Sequence, residues 1–546
     1  MGLDSLIPGT EPPTDVVSYK VFINGEELTA EIKLTSVTVN KTFNRIAFAR
    51  LLFLDGSVAQ RDFPLSNDDK FKPGGSITIQ LGYHSDVSTV FDGLIVKHAV
   101  KVKQSGASLL LIEAKDKAVK LIMSRKSVYH INKTDSEVIE NLAGEMDKEI
   151  DSTSFSHKQL VQFEATDWDF IITRAEANGM FVLTDDGKLI VKQPSSSVNI
   201  ALTATYGQDI VEFEAELDAR KQSKTIKSLS WDYSQQQVET SDEGSADFSE
   251  NGNISSNDLG NVLGGEVQLT HIGHLTTEQL QTWSDAYVMR KHLLKCAGRV
   301  RIHGKASVKP GMMVTLAGVG DRFNGNVFVT GVLHLYDGTW FTDIQFGWSD
   351  DWFYKKEDVM NKPAGGLLPG INGLQIGVVL QVDDNEDGGQ YRVKIYIPTI
   401  TSGNEGIWAR VATLDAGDNR GAYFRPQAGD EVVLGFLNDD PREPVILGYL
   451  HSKDSKQSPL PEQDGMLQYG FVTKEKNKLI FDDTNKRITL SVNAAAGEKT
   501  IILNNEAGAI EIKDENQNTI KMDASGITIQ SGMGNVIIKG LQVMIN

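Results

Sequence analysis

The sequence specifies a mainly β protein with minor helices, and three observations lead there. From about Asn477 to the last residue the chain is a run of very short alternating segments with polar turns. Gln375 to His451 packs five strand-like segments into one block, and the region before it reads as strands interrupted by a few helices.

In chain order, Val21-Phe-Ile-Asn24-Gly25-Glu-Glu-Leu28 reads as a hairpin turning through Asn-Gly, and Ser76-Ile-Thr-Ile-Gln-Leu81 alternates like a half-buried strand. Thr134-Asp-Ser-Glu137 is a capping box ahead of Val138, Ile139, Leu142 and Met146, hence a helix. Thr276 with Gln279 opens a second helix carrying Leu280, Trp283, Tyr287, Leu293 and Leu294. Strands follow at Gly311 to Leu316, Val327 to Thr330 and Thr342 to Phe346, so the N-terminal region is expected to hold two β-rich lobes joined by a helical middle.

Between Ser228 and Met289 there is no Lys or Arg, and residues 234–265 are acidic and rich in Gly, Ser and Asn. That stretch reads as a long flexible surface loop. Asn361 to Gly370 combines two prolines with three glycines and marks a domain boundary. Beyond it, Gly377 to Leu380, Tyr391 to Tyr396, Gly406 to Val411, Glu431 to Phe436 and Pro444 to Leu447 fit a small Greek-key barrel.

The tail segments are Lys478 to Phe481, Arg487 to Leu490, Thr500 to Leu503, Ile510 to Ile512, Ile520 to Met522, Ile527 to Ile529 and Val536 to Ile538. Strands this short bury too little apolar area to stand alone. They must stack on successive coils of the same chain or on other copies, which points to an oligomeric β needle, with a small terminal sandwich or a disordered tail as the alternatives.

With 546 residues, 40% hydrophobic and 23% charged, the chain has room for three or four domains. Its 73 acidic against 54 basic residues leave a net charge of −19, which argues against nucleic acid as a partner. No run reaches membrane-spanning length, and Met1 to Pro8 has neither the basic start nor the apolar core of a secretory signal. Export is therefore expected to depend on another machine. Cys296 is the sole cysteine, so an intrachain disulfide and a cysteine metal cluster are both excluded.

Several motifs imitate catalytic ones. His271-Ile-Gly-His274 spells a class I aminoacyl-tRNA synthetase signature, but it follows an acidic loop where an opening β-α unit is required. Asp383-Asp-Asn385-Glu-Asp387-Gly388 copies half of a calcium loop, yet its twelfth position is Lys394 and a strand follows, so a hairpin turn accounts for it better. Nucleophile-elbow and zinc His-Glu-x-x-His motifs are missing, and no histidine lies beyond His451. No catalytic, cofactor-binding or metal residues and no cofactor are expected.

The barrel region carries a family resemblance. Trp408-Ala-Arg-Val411, then Gly421 to Phe436 with Pro426, Gly429 and Asp430, then Asp439 to Gly448 with Pro441, Pro444 and Gly448, follow the OB-fold pattern of VgrG-type spike proteins nearly end to end. Those proteins belong to type VI secretion systems and related contractile injection systems, akin to phage tail hubs and spikes. Asp167 to Gly179 is similar to the family's hub helix, and Pro310 to His334 to its second tube-like lobe; the stretch from Ser234 does not align.

The resemblance implies a hub over 1–365 with tandem tube-like β-barrels, an OB-fold neck over 371–452 and a triple-stranded β-helix spike over 475–546. It implies a homotrimer seated on an Hcp-like inner-tube hexamer, baseplate and effector partners, and a needle that pierces the target membrane without staying bound. The machine would assemble this protein in the cytoplasm and export it. A PAAR-like tip protein is expected to cap Val543, Met544, Ile545 and Asn546. The rival reading is a cell-wall-degrading tail enzyme or a carbohydrate-binding β-repeat protein, with the acids Glu137, Glu140, Glu145 and Asp151 as candidates for paired carboxylates.

Overall fold

At the Asn24-Gly25 turn both residues adopt positive φ, 52° and 84°, which matches the right-handed twist of the flanking strands Val17–Ile23 and Glu26–Glu27. The structure, a computed structural model, describes residues 16–545 apart from 103, 105–106, 233–234, 349–362, 385–389, 404, 453–456, 461–464, 466 and 495–496. The chain divides into two units, Met1–Asn361 and Lys362–Asn546.

The first unit is built on a 13-stranded sheet that runs without a break through both expected lobes. One lobe pairs Leu34–Thr42, Phe48–Leu54, Leu109–Lys115, Asp86–Lys101, Ser76–Tyr83 and Val17–Ile23 in that order. It encloses a core that includes Leu51, Phe53, Phe71, Ile77, Ile79 and Phe91. The other pairs Gly325–Tyr336, Trp340–Phe346, Cys296–His303 and Ile210–Leu217 around Val300, Val314, Val329, Ile344 and Phe346. The expectation that helices join the lobes is corrected here. Leu34–Thr42 pairs antiparallel with Gly325–Tyr336, from Gly331 opposite Thr42 to Tyr336 opposite Val37. At Gly331 a Cβ would come within 2.9 Å of the Thr42 hydroxyl and 3.0 Å of the Gln345 amide oxygen, so a larger residue at this seam would have to displace those side chains.

The helices Asp135–Ala143 and Asp167–Ala177 form beside the seam, the first opened by the expected Thr134–Glu137 capping box. Their apolar faces meet at Ile139, Trp168, Ile171, Ile172 and Ala175. Buried polar contacts tie this middle to both lobes. The Lys41 ammonium, 4% exposed, lies 2.5 Å from Asp185 and 2.8 Å from Asp186, and Lys309 reaches Asp185 at 2.6 Å. Burial pulls the Lys41 pKa down, but the two carboxylates outweigh it and the net shift is upward. Glu176 accepts from Asn44 at 2.8 Å and from Arg290 at 2.9 Å.

The expected flexible loop over 234–265 is also corrected. It contains the strand Gln237–Thr240, paired with Thr225–Asp232, and the helix Ser256–Leu263, capped by Ser255 and Asp258. Between them Phe248 meets Phe328 edge-on at 5.9 Å, and Asn251 donates to the Phe323 carbonyl at 3.1 Å. The segment looks loop-like in sequence because backbone and polar contacts hold it, and apolar periodicity does not.

In the second unit, Gln375–Gln381, Val393–Tyr396, Ile407–Val411, Pro444–Tyr449 and Glu431–Phe436 close into a five-stranded barrel in that neighbour order. The closing pair is parallel, Arg410 opposite Val445, which gives the 1-2-3-5-4-1 order of an OB barrel. Its core is Val379, Val393, Ile395, Ala409, Val432, Leu434 and Ile446. Apart from the short pair Ala416–Gly417 with Arg420–Gly421, the remaining strands form a seven-stranded antiparallel meander from Gln468–Val472 to Gly526–Gln530. It begins before the expected 475, and Val536 to Ile538, expected as a strand, has no strand pairing in the structure.

His334 sits at the seam, 3% exposed, hydrogen-bonded through Nδ1 to the Thr342 hydroxyl at 3.0 Å. Burial, with the charge of Lys41 adding to it, pushes its pKa down to about 3. The unfolded chain takes up this proton near pH ~6.5 and the native chain does not, so stability falls as pH drops from about 6.5 toward about 3, by up to ~1.4 kcal/mol per pH unit. Thermal melts of His334→Gln across that window are expected to show a shallower acid decline than the parent; equal slopes would remove His334 as the titrating group.

Candidate functional site

The barrel residues singled out in the sequence gather at its turns and closing strands. Arg392 and Lys394 each stack over the Trp408 ring at 5.6 Å. Asp384, on the loop before them, accepts from the Arg392 guanidinium at 3.0 Å and from the Gln390 and Arg392 backbone N–H groups. The Arg392 bond leads in holding its carboxyl down to about 2. Asp384 thus orders a turn, while Asn385 to Gly388 of the calcium-like motif lie outside the described residues.

Pro426 is buried and leads into the turn Gln427 to Asp430, where Asp430 accepts from the Gln427 N–H at 2.8 Å. Gly429 has φ 87° and donates its N–H to the Val379 carbonyl at 2.7 Å, which locks this turn onto the first barrel strand. Pro441 and Pro444 flank a second turn, in which Asp440 accepts from Arg442 through both backbone and guanidinium. Pro444 then opens the strand that carries Gly448. These residues shape one barrel; they do not converge on a cleft.

The terminal sheet has one apolar and one polar face. Its register aligns Phe481, Ile488, Leu503, Ile510, Met522 and Ile527 in one cross-strand row, and Leu479, Leu490, Ile501, Ile512, Ile520 and Ile529 in a second on the same face. Apart from Leu479, these side chains run from 38% exposed at Ile501 and Ile520 to 70% at Ile527. The opposite face is mostly polar, with rows such as Lys478, Ser491, Thr500, Lys513 and Thr519. Asx turns set the strand spacing: Asp514 accepts from the Asn516 and Asn518 N–H groups at 2.9 Å each, and Asp523 from Ser525 at 2.9 Å. Phe471 on the first of these strands stacks on Phe424 of the barrel at 5.2 Å.

Other candidates fall elsewhere. Val543, Met544 and Ile545 are 48%, 80% and 89% exposed beyond the last strand, and Asn546 lies outside the described residues. Glu137 closes its capping box, Asp151 accepts from the Gln193 N–H at 3.0 Å, and Glu140 and Glu145 are exposed near the helix end. His271 ends the strand Glu266–His271, and its Nδ1 bonds the Gly273 carbonyl at 2.8 Å. Sequence reading saw the alternation of the tail but not its twin rows, because register depends on turn lengths that only the folded sheet displays. Nor does it single out the antiparallel ribbon Arg125–Thr134 with Ser156–Thr166, which exposes Tyr129, Ile131 and Phe163. Among the described residues no helix is long and apolar enough to cross a membrane.

Comparison with known proteins adds two family matches. Residues 13–337 match the Alg8 N-terminal domain, and residues 375–451 match the type VI secretion system/phage-baseplate injector OB domain. The actin cross-linking toxin VgrG1 of Vibrio cholerae is 27% identical over 195 residues, covering 33% of this chain and 17% of that protein. The type VI secretion system spike protein VgrG3 of Vibrio cholerae is 38% identical over 76 residues, 13% of this chain and 8% of that protein. A 43 kDa tail protein of prophage MuSo2 from Shewanella oneidensis superposes with a TM-score of 0.46 at 10% identity, over 61% of this chain and 98% of that one. The chain spans less than a fifth of the length of these curated relatives.

Two glycines of the barrel motif separate backbone strain from mere occupancy. Gly429→Ala forces a Cβ into the left-handed region and is expected to cost roughly 1–2 kcal/mol. At Gly448 a Cβ meets nothing within 4 Å, so Gly448→Ala is expected to stay within about 0.5 kcal/mol of the parent. Denaturant melts of the two variants check the difference.

Proposed function

This chain belongs to the Alg8 N-terminal domain family and is a VgrG-type spike protein, and from that premise we propose that three copies form the structural tip of a contractile injection machine. In this reading residues 1–365 make a hub, 371–452 a neck and 475–546 a needle. Three hubs, each contributing two tube-like lobes, seat on an Hcp-like inner-tube hexamer and contact baseplate proteins. Contraction of the machine drives the needle through the target envelope together with bound effectors. The protein assembles in the cytoplasm, leaves the cell with the machine, and breaks no bond itself; its useful property is stiffness.

The observation that supports this reading best is the pair of exposed apolar rows on the terminal sheet. Completing the burial of a dozen half-exposed aliphatic and aromatic side chains is worth about 1 kcal/mol each, on the order of 10 kcal/mol per chain. Wrapping three such sheets around one axis removes the open edges as well. A sheet with every backbone group paired resists bending because many hydrogen bonds must break together. The matched injector OB domain, residues 375–451, coincides with the closed barrel Gln375–Tyr449, which supports its role as the neck.

Light scattering of the purified chain is expected to give three times the chain mass of 59.9 kDa. The double variant Ile501→Asp with Ile512→Asp, which places charge in the second apolar row, is expected to drop to one chain mass. A parent protein that scatters as a monomer would sink the trimeric needle.

The exposed apolar end at Val543, Met544 and Ile545 supports a cap by a separate PAAR-like tip protein. Deleting 541–546 should abolish co-purification of that partner while leaving the oligomer mass unchanged. Undiminished co-purification would place its binding elsewhere.

A further inference from the structure

We propose that Asp232, Glu239 and His274 form a binding site for a first-row divalent transition metal of the Zn2+ class, in the first unit. Their carboxylate oxygens and imidazole nitrogen all lie within 4.8 Å of one another. His274 Nδ1 lies 3.8 Å from Asp232 Oδ1.

The fold brings together residues from three separate elements. Asp232 ends the strand Thr225–Asp232 and lies on the same face as Ser230, two residues earlier. Glu239 lies on Gln237–Thr240 directly opposite Ser230, so the two acids share that face. On the other side of the central strand, Glu266–His271 runs parallel with His271 opposite Ser230, and its exit toward the helix Thr277–Leu294 carries His274 over the carboxylates. His274 of the His-Ile-Gly-His motif, which finds no nucleotide-binding context in this fold, here acquires one.

The ligands are held in place by contacts of their own. The Ser230 hydroxyl meets both the backbone N–H and the carbonyl of Leu275 at 3.2 Å, which pins the residue next to His274. Thr276 and Gln279 close a capping box just beyond. The Thr277 hydroxyl donates to Glu239 Oε1, and the Gln235 N–H donates to Asp232 Oδ1 at 3.3 Å. Outer contacts of this kind orient metal ligands in established sites.

Charge and exposure point the same way. The Asp232 side chain is 8% exposed and that of His274 36%, so a buried carboxyl group lies beside an accessible imidazole. Two carboxylate oxygens and one imidazole nitrogen within 4.8 Å of one another offer a dication two negative charges and a neutral donor at once. One imidazole nitrogen with two carboxylate oxygens suits Zn2+ and its neighbours, whereas Ca2+ and Mg2+ favour oxygen alone. Tetrahedral ligands about 2.1 Å from Zn2+ stand roughly 3.4 Å apart, so the three ligand atoms, now within 4.8 Å of one another, must draw together on binding. The bound ion would clasp the strand pair to the start of the long helix.

The test uses the full chain, stripped with a chelator and titrated with Zn2+ by calorimetry, and with Co2+ by visible absorption. Expected is saturation at one ion per chain, with d–d bands for Co2+, and at least tenfold weaker binding in His274→Ala and in Asp232→Asn. The metal-free melting temperature of His274→Ala should match the parent, because that side chain sits on an exposed loop. His271→Ala, whose imidazole is engaged with Gly273, should bind as the parent does. No saturable binding, binding unchanged in His274→Ala, or loss in His271→Ala in place of His274→Ala would each overturn the assignment. None of these outcomes depends on the oligomeric state or on the spike reading.

Discussion

The first unit depends on one strand pairing, that of Leu34–Thr42 with Gly325–Tyr336, which closes a very long loop in the chain. Such closure costs loop entropy before it returns any contact, so the seam must be strongly favoured locally. Three features supply this. Gly331 lets the backbone pass close to Thr42, Phe43 stacks on Phe181 with centroids 4.0 Å apart, and Lys41 gathers Asp185 and Asp186 in a buried cluster. A lone buried charge would be destabilising by several kcal/mol, so these groups hold only as a set. The helical middle is fixed by the same set, since Asp185 and Asp186 turn the hairpin Phe181–Asp185 to Lys188–Lys192.

The second unit solves the opposite problem. Its barrel closes on itself and leaves no sheet edge, whereas the terminal meander keeps two edges and one apolar face within a single chain. The polar face, with its Asx turns and ion pairs such as Lys499 with Glu515 at 3.0 Å, is finished without help. That asymmetry leaves the apolar face as the part of the sheet that the single chain does not cover.

Net charge acts across the whole chain. At −19, copies of the chain repel one another, so any association between them has to outweigh that repulsion. The same charge keeps a chain with so many exposed aliphatic residues from associating indiscriminately. Segment 228–289 concentrates acids without basic residues, yet it is held by capping boxes, by Phe248 and by backbone bonds, so its acidity is a surface property of an ordered strap.

By itself, the sequence determined what local physics determines. The Asn24-Gly25 turn, the capping boxes at Thr134 and Thr276, the five barrel strands and the alternation of the tail all follow from short-range preferences and from period-two burial. The barrel motif was legible because Gly429, Pro426 and Pro444 answer to backbone geometry within a few residues. The merging of two lobes into one sheet was not legible, since it joins strands far apart in sequence through a glycine and a buried lysine whose partners are equally distant. Residues 234–265 read as a loop because polar contacts that order a segment leave no periodic trace. The twin apolar rows and the meeting of Asp232, Glu239 and His274 depend on cross-strand register and on which elements become neighbours, and only tertiary structure decides those, because contact between distant residues is fixed by the packing of the whole unit and not by any local preference.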